Sequence, residues 1–132
     1  MLNQERINLA KQRMEKSEEM LTDAEKLLES GSYKSCNNRA YYSIFHAIRA
    51  VLALDGVEFK RHSGNIQYFQ REYIKTGIFS SDDSDIIMSA SEIRNSSDYD
   101  DFYVVSKATT EELVKEARVF IKKVKDYLSE KV

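Results

Sequence analysis

Between Glu92 and Asp101 the chain reads EIRNSSDYDD: one arginine, Arg94, with Asn95 beside it and the acids Glu92, Asp98, Asp100 and Asp101 around it. A guanidinium presents a planar fork of donors that fits a phosphate two-pronged, so Arg94 is a candidate anion clamp and Asn95 its hydrogen-bonding companion. A plainer role competes. Cations favour the last turn of a helix, and Asn-Ser-Ser-Asp is a natural helix-ending run, so Arg94 also fits as a cap. The two histidines are the side chains that titrate nearest neutrality. His62 follows Lys60 and Arg61 in a small cationic patch, and with Ser63 it can equally cap a helix start. His46 falls mid-helix, the place of a satisfied interior histidine.

Other chemistries find little support. The acids at 98, 100 and 101 lack the fixed glycine and terminal glutamate of a calcium loop, and no His/Cys cluster has ligand spacing, so neither a metal nor a cofactor is expected. Gly-rich phosphate loops, nucleophile elbows and two-histidine helix motifs are absent from the sequence.

The elements that must position these residues are helices. There is no proline, and three of the four glycines fall where a periodic pattern stops. Ile7, Ala10, Met14, Ser17, Leu21, Ala24 and Leu28 step by three and four, the seam of a first helix that Ser30-Gly31-Ser32 ends. Ser32 is then the next N-cap. A second helix, roughly 33 to 54, has a core stripe of Tyr41, Ile44, Phe45, Ile48, Val51 and Leu52. Its other side gathers Arg39, Tyr42, His46, Arg49, Ala50 and Ala53, which reads either as the remaining surface of a buried central helix or as the lining of a polar groove or interface.

After the loop VEFKRH, the spacing predicts a short helix from about Ser63 to Thr76 with Ile66, Phe69, Tyr73 and Ile74 inward. A fourth is capped at Ser81-Asp82, with Ile86, Ile87, Ala90 and Ile93 inward. A last helix starts near Ser106 to Thr110, where Thr109 and Glu112 have capping-box spacing. Leu113, Ala117, Phe120, Val124 and Tyr127 form its seam. Only FYVV at 102 to 105 looks β-like. The expected architecture is all-α, an antiparallel bundle of four main helices plus a short one, and the 132 residues suit a single domain spanning 1–132.

Composition narrows the setting. Cys36 has no partner in the chain, the first sixteen residues lack the apolar core of a signal peptide, and no eighteen apolar residues run together. A protein without membrane contact, in the cytoplasm, is expected. Net charge is −2, yet residues 33 to 77 carry seven Lys/Arg against three acids, while 81 to 101 carry seven acids against Arg94 alone. One segment can meet a polyanion; the other repels it.

Three strings in order, NRAYYSIFHAIRAVLALDG, KRHSG and RNSSDYDD, make the chain resemble the small single-domain members of the HEPN family. The likeness covers about residues 5 to 130. It implies a helical bundle that pairs as a homodimer. It also implies a metal-independent ribonuclease of toxin–antitoxin or defence type, or else a non-catalytic adaptor, partnered by a minimal nucleotidyltransferase. The family's nuclease signature is an arginine, a neighbouring polar residue and a histidine four to six positions on. Arg94 and Asn95 match its first two elements, but Tyr99 stands where histidine is expected, and Asp100 and Asp101 fill the alternative positions. Metal-free RNA cleavage needs a base for the 2′-hydroxyl proton, and a tyrosine of ordinary pKa, about 10, serves poorly at pH 7. The candidate site is therefore Arg94, Asn95, Tyr99 and His62, with Arg94 on the scissile phosphate, Asn95 orienting it, and Tyr99 or His62 handling protons.

Overall fold

The computed structural model describes residues 3–132, so Met1 and Leu2 of the expected 1–132 domain lie outside the described residues. Five α-helices follow one another: α1 (Gln4–Glu29), α2 (Tyr33–Asp55), α3 (His62–Phe69), α4 (Ser81–Tyr99) and α5 (Lys107–Lys131). The third runs directly into a π-helical turn, Gln70–Ile74. Four are long and one is short, and among the described residues no strand forms. FYVV is a turn and an open segment, with Phe102 and Val104 in solvent.

Pairing is antiparallel. Across α1 and α2, Cys36 Sγ donates to the Ala24 carbonyl at 3.1 Å, Ser17 Oγ to that of Ser43 at 2.6 Å, and Arg13 Nη1 to that of Arg49 at 2.9 Å. One index falls as the other rises, and small side chains let the two backbones approach closely. Ser17, a polar residue in an apolar seam, is explained by its bond to a carbonyl. Ion pairs Glu18–Lys125 and Glu25–Arg118 set α1 and α5 antiparallel in the same way.

α2 lies at the centre and packs on α1, α3, α4 and α5. Fourteen of its residues are buried, so the predicted core stripe widens to include Cys36, Asn37, Ser43, Ala47, Ala50 and Ala53. Only Arg39, Tyr42, His46 and Arg49 keep partial or full exposure over the middle of the helix. Beyond α3, Phe69, Tyr73, Phe79, Phe120 and Tyr127 build an aromatic cluster with ring centroids 5.1–6.4 Å apart, tying the π-turn and the α4 approach to α5.

Helix starts differ from the expected ones in three places. Ser32 occupies the α2 N-cap position without a side-chain cap bond, because its hydroxyl meets that of Ser30 instead. α4 is capped one residue earlier than read, by Ser80, whose hydroxyl accepts from Asp83 N while the Asp83 carboxylate accepts from Ser80 N. α5 is capped by Ser106, which accepts from Thr109 N, so Thr109 is the third helical residue rather than the cap. At Gly31, φ is +77°, and the amide of Ser32 reaches back to the Leu27 carbonyl, a left-handed stop that a side chain would strain.

Asp83 is the most heavily committed of these ends. Nearly fully buried, it also accepts from Lys123 Nζ of α5 at 2.9 Å, so it closes the cap and fastens α4 to α5 together. Asp83→Ala removes the reciprocal half of the capping box and its tie to Lys123, and is expected to cost about 2 kcal/mol, several degrees of melting temperature, in thermal denaturation.

Candidate functional site

α4 does not end where the sequence pattern weakens but continues to Tyr99, with Asp100 as its C-cap. Arg94 therefore sits more than a turn inside the helix, and its side chain crosses to α2 rather than folding onto the last carbonyls. Its Cζ lies 5.0 Å from the Tyr41 ring centroid and 5.4 Å from that of Tyr42. Nη2 donates to Tyr42 Oη at 3.2 Å. Such contacts suit a guanidinium, which is weakly hydrated and stacks on aromatic faces. The cap reading of Arg94 gives way to an anchorage between two tyrosines.

One turn on, Asp98 places Oδ2 3.3 Å from Arg94 Nε. The pair is a charge contact without hydrogen-bond geometry, for the buried Nε–H has no acceptor. Arg94 thus spends one donor on Tyr42 and encloses its Nε–H beside Asp98, while Nη1 makes no hydrogen bond among the described residues. Tyr99 is not part of this arrangement. Five residues on is about 140° around a helix, and its ring is 74 % exposed on another face.

His62 is brought to the same place from the other side. It is the first residue of α3, preceded by Arg61, and neither makes a side-chain cap bond. Its Nδ1 lies 3.1 Å from Tyr41 Oη, and its ring packs 4.1 Å from Phe45. The capping reading of His62 is replaced by contact with α2. Burial, with Arg94 and then Arg49 nearby, lowers its pKa below the ordinary histidine value. Burial raises the Tyr41 phenol to about 12, so it stays protonated as a partner. With the proton on Nδ1 and donated to Tyr41 Oη, His62 Nε2 keeps a free lone pair.

The joint before α3 is held by Asn65, a buried amide whose Nδ2 donates to the carbonyls of Phe59 and Arg61 at 3.1 and 2.9 Å. Gly64 lets Phe59 lie close, since a Cβ there would meet Phe59 Cβ at 3.0 Å. The string KRHSGN therefore delivers His62 against Tyr41 at a set position.

Arg94, Asn95 and His62 line one groove of about 790 Å³ between α3, the π-turn and α4. Tyr41, Ile66 and Met88 give it apolar walls, and Arg71 and Lys75 add charge along it. Neither cation stood out in the sequence, because their approach to Arg94 depends on how α3 and α4 face one another. Tyr41, read only as core, is the partner of both functional candidates. His46 is not a satisfied interior residue: it is half-buried, makes no hydrogen bond among the described residues, and has its pKa pushed down to about 4 by burial and by Arg49, Lys16, Arg13 and His62. Among the described residues, no group of three or more His, Cys, Asp or Glu converges as a metal site, and no helix is long and apolar enough to cross a membrane.

Comparison with known proteins agrees with this frame. The model of the HEPN domain matches residues 10–127. A UPF0332 protein of Archaeoglobus fulgidus is 35% identical over 114 residues, covering 86% of this chain and 90% of its own. Two proteins of Methanocaldococcus jannaschii, named "Putative toxin MJ0142" and "Putative toxin MJ0605", are 33% and 32% identical over 118 and 120 residues. The matches cover 89% of this chain in both cases, and 80% and 87% of theirs. An all-helical bundle, a matching domain model over most of its length and relatives aligned nearly end to end lead to one conclusion: the chain belongs to the HEPN domain family.

Proposed function

We propose that this protein is a toxin-type HEPN ribonuclease that binds single-stranded RNA along the α3–α4 groove and cleaves it with Arg94 and His62. The observation that carries the reading is the guanidinium of Arg94, braced by Tyr41 and Tyr42 and left with donors to spare, on the same groove as a histidine whose pKa keeps it neutral at pH 7. A phosphodiester clamped at Arg94 receives two-pronged hydrogen bonds that strengthen as charge builds on its oxygens. Asn95, exposed beside it, orients a neighbouring phosphate or sugar oxygen.

His62 Nε2 takes the proton of the 2′-hydroxyl, and the 2′-oxygen bonds to phosphorus. The bond to the 5′-oxygen then breaks, leaving a 2′,3′-cyclic phosphate and a 5′-hydroxyl that gains its proton from water. The histidine that RNSSDYDD lacks is thus supplied from KRHSG, and Tyr99 has no part in the chemistry. In the homodimer that this reading includes, two such grooves face each other.

A labelled RNA panel tests it. Arg94→Ala is expected to lower cleavage by about 10²- to 10³-fold, and His62→Gln by about 10²-fold or more, while Tyr99→Phe leaves the rate unchanged. Cleavage that persists in Arg94→Ala would sink the assignment. A base must be unprotonated, so the rate should be level well above the ordinary histidine range and fall as pH drops through the lowered pKa of His62; that acid limb disappears from the residual activity of His62→Gln.

One observation favours a second reading, a non-catalytic partner of a minimal nucleotidyltransferase. Tyr99, Phe102 and Val104 stand 74, 93 and 82 % exposed in a run that also carries Asp98, Asp100 and Asp101. Exposed apolar side chains amid acids suit docking to a basic protein surface. Under this reading, replacing the three aspartates by asparagine releases a co-expressed nucleotidyltransferase in a pull-down, and capture that survives the change counts against it.

A further inference from the structure

On the open side of α2, opposite in charge to the acidic end of α4, two guanidiniums converge on a single oxygen. Arg13 Nη2 and Arg49 Nη2 each donate to Glu58 Oε1 at 2.9 Å. Arg13 is buried, and its other nitrogen is committed to the Arg49 carbonyl, so its direction is set by the α1–α2 packing. Glu58 is the opposite case: its side chain is 64 % exposed, on the joint between α2 and α3. One donor fixed by packing, Arg13, and a second, Arg49, held only by the carboxylate they share have the form of an oxyanion position occupied by an exposed loop side chain.

The surroundings favour more negative charge than Glu58 supplies. Beyond burial, the permanent cations Arg49, Lys16 and Arg13 all act on His46 in the sense that disfavours its charged form. The same stripe of α2 leads to the groove. Tyr42, which accepts from Arg94, has its ring 6.1 Å from His46 and 5.6 Å from His62. Arg49 lies seven residues beyond Tyr42, about 10 Å along the helix. Between the two arginine positions the surface is aromatic, the kind on which unpaired bases stack.

We propose that Arg13 and Arg49 form a second phosphate position for the RNA strand held at Arg94, and that Glu58 fills it as a tethered competitor when no RNA is bound. The proposal rests on the RNA reading of the groove. The tether makes it selective. A free phosphate must displace a carboxylate of high local concentration, whereas a strand already gripped at Arg94 presents its next phosphates at a comparable effective concentration. Position two therefore discriminates for length of strand.

Fluorescence anisotropy with a labelled oligouridylate, together with circular dichroism to verify folding, tests this. Glu58→Gln keeps an acceptor for Arg13 but removes the competing charge, and should tighten binding about three- to tenfold. Arg49→Gln should weaken it about tenfold and reduce the salt dependence by about one ion. In the double variant the gain from Glu58→Gln should vanish, since the position it frees is gone. Should Glu58→Gln lower the melting temperature without tightening binding, or its gain survive in the double variant, Glu58 is only a structural anchor and the proposal falls. Binding that is lost in Arg94→Ala yet indifferent to Glu58 and Arg49 overturns the second position alone. Absence of binding by the wild type overturns both readings.

Discussion

Everything in this molecule is arranged around the enclosure of α2. A helix packed by four neighbours has almost no surface to give, and burying a polar side chain without a partner is costly. The charged and ring-bearing polar residues along the middle of α2 lie on the narrow strip that no neighbour covers, Arg39, Tyr42, His46 and Arg49, while the small buried polar residues Asn37 and Ser43 donate to Ser97 Oγ and the Ala40 carbonyl. What α1, the α2–α3 joint and α4 contribute must meet that strip from its edges. Arg13, Glu58, His62 and Arg94 come from four different elements, and each ends in contact with α2 or a residue on it.

That arrangement also decides the electrostatics. Arginine can be brought against aromatic rings at modest desolvation cost, so Arg94 remains a usable cation while half-buried. Histidine cannot: burial and neighbouring cations drive both His46 and His62 toward neutrality. One region thus holds permanent positive charge beside neutral imidazoles, which is the division of labour that phosphate binding and proton abstraction require. Of the acids of α4, Asp98 alone is in contact with the guanidinium.

Much of the fold was legible because its signal is local. The seams of α1 and α5 repeat over about six and four turns, and the glycines at 31, 56 and 77 adopt the positive φ that helix stops demand. Caps were the weaker part, since Ser80, Ser81 and Asp82, or Ser106 and Thr109, compete within one turn and only the dihedrals choose. The candidate site was legible in its members but not in its grouping. Arg94, Asn95 and His62 share a groove, whereas Tyr99 was selected by counting along the chain, and a continuing helix turns it away. The partners Tyr41, Arg71 and Lys75 leave no mark in a single sequence, because what qualifies them is the facing of α3 and α4.

The amide of Asn65 carries a further consequence. By binding two carbonyls, four and six residues upstream, it turns the stretch from Phe59 to Asn65 into a closed ring instead of an open connection. Much of the entropy of that joint is therefore surrendered when the chain folds rather than when a ligand arrives. His62 waits in place at the edge of the ring, while Glu58, its side chain mostly in solvent and held only by Arg13 and Arg49, sits just outside it. At one peptide link the molecule passes from a stretch fixed by bonds to its own backbone to a side chain held from outside by two cations.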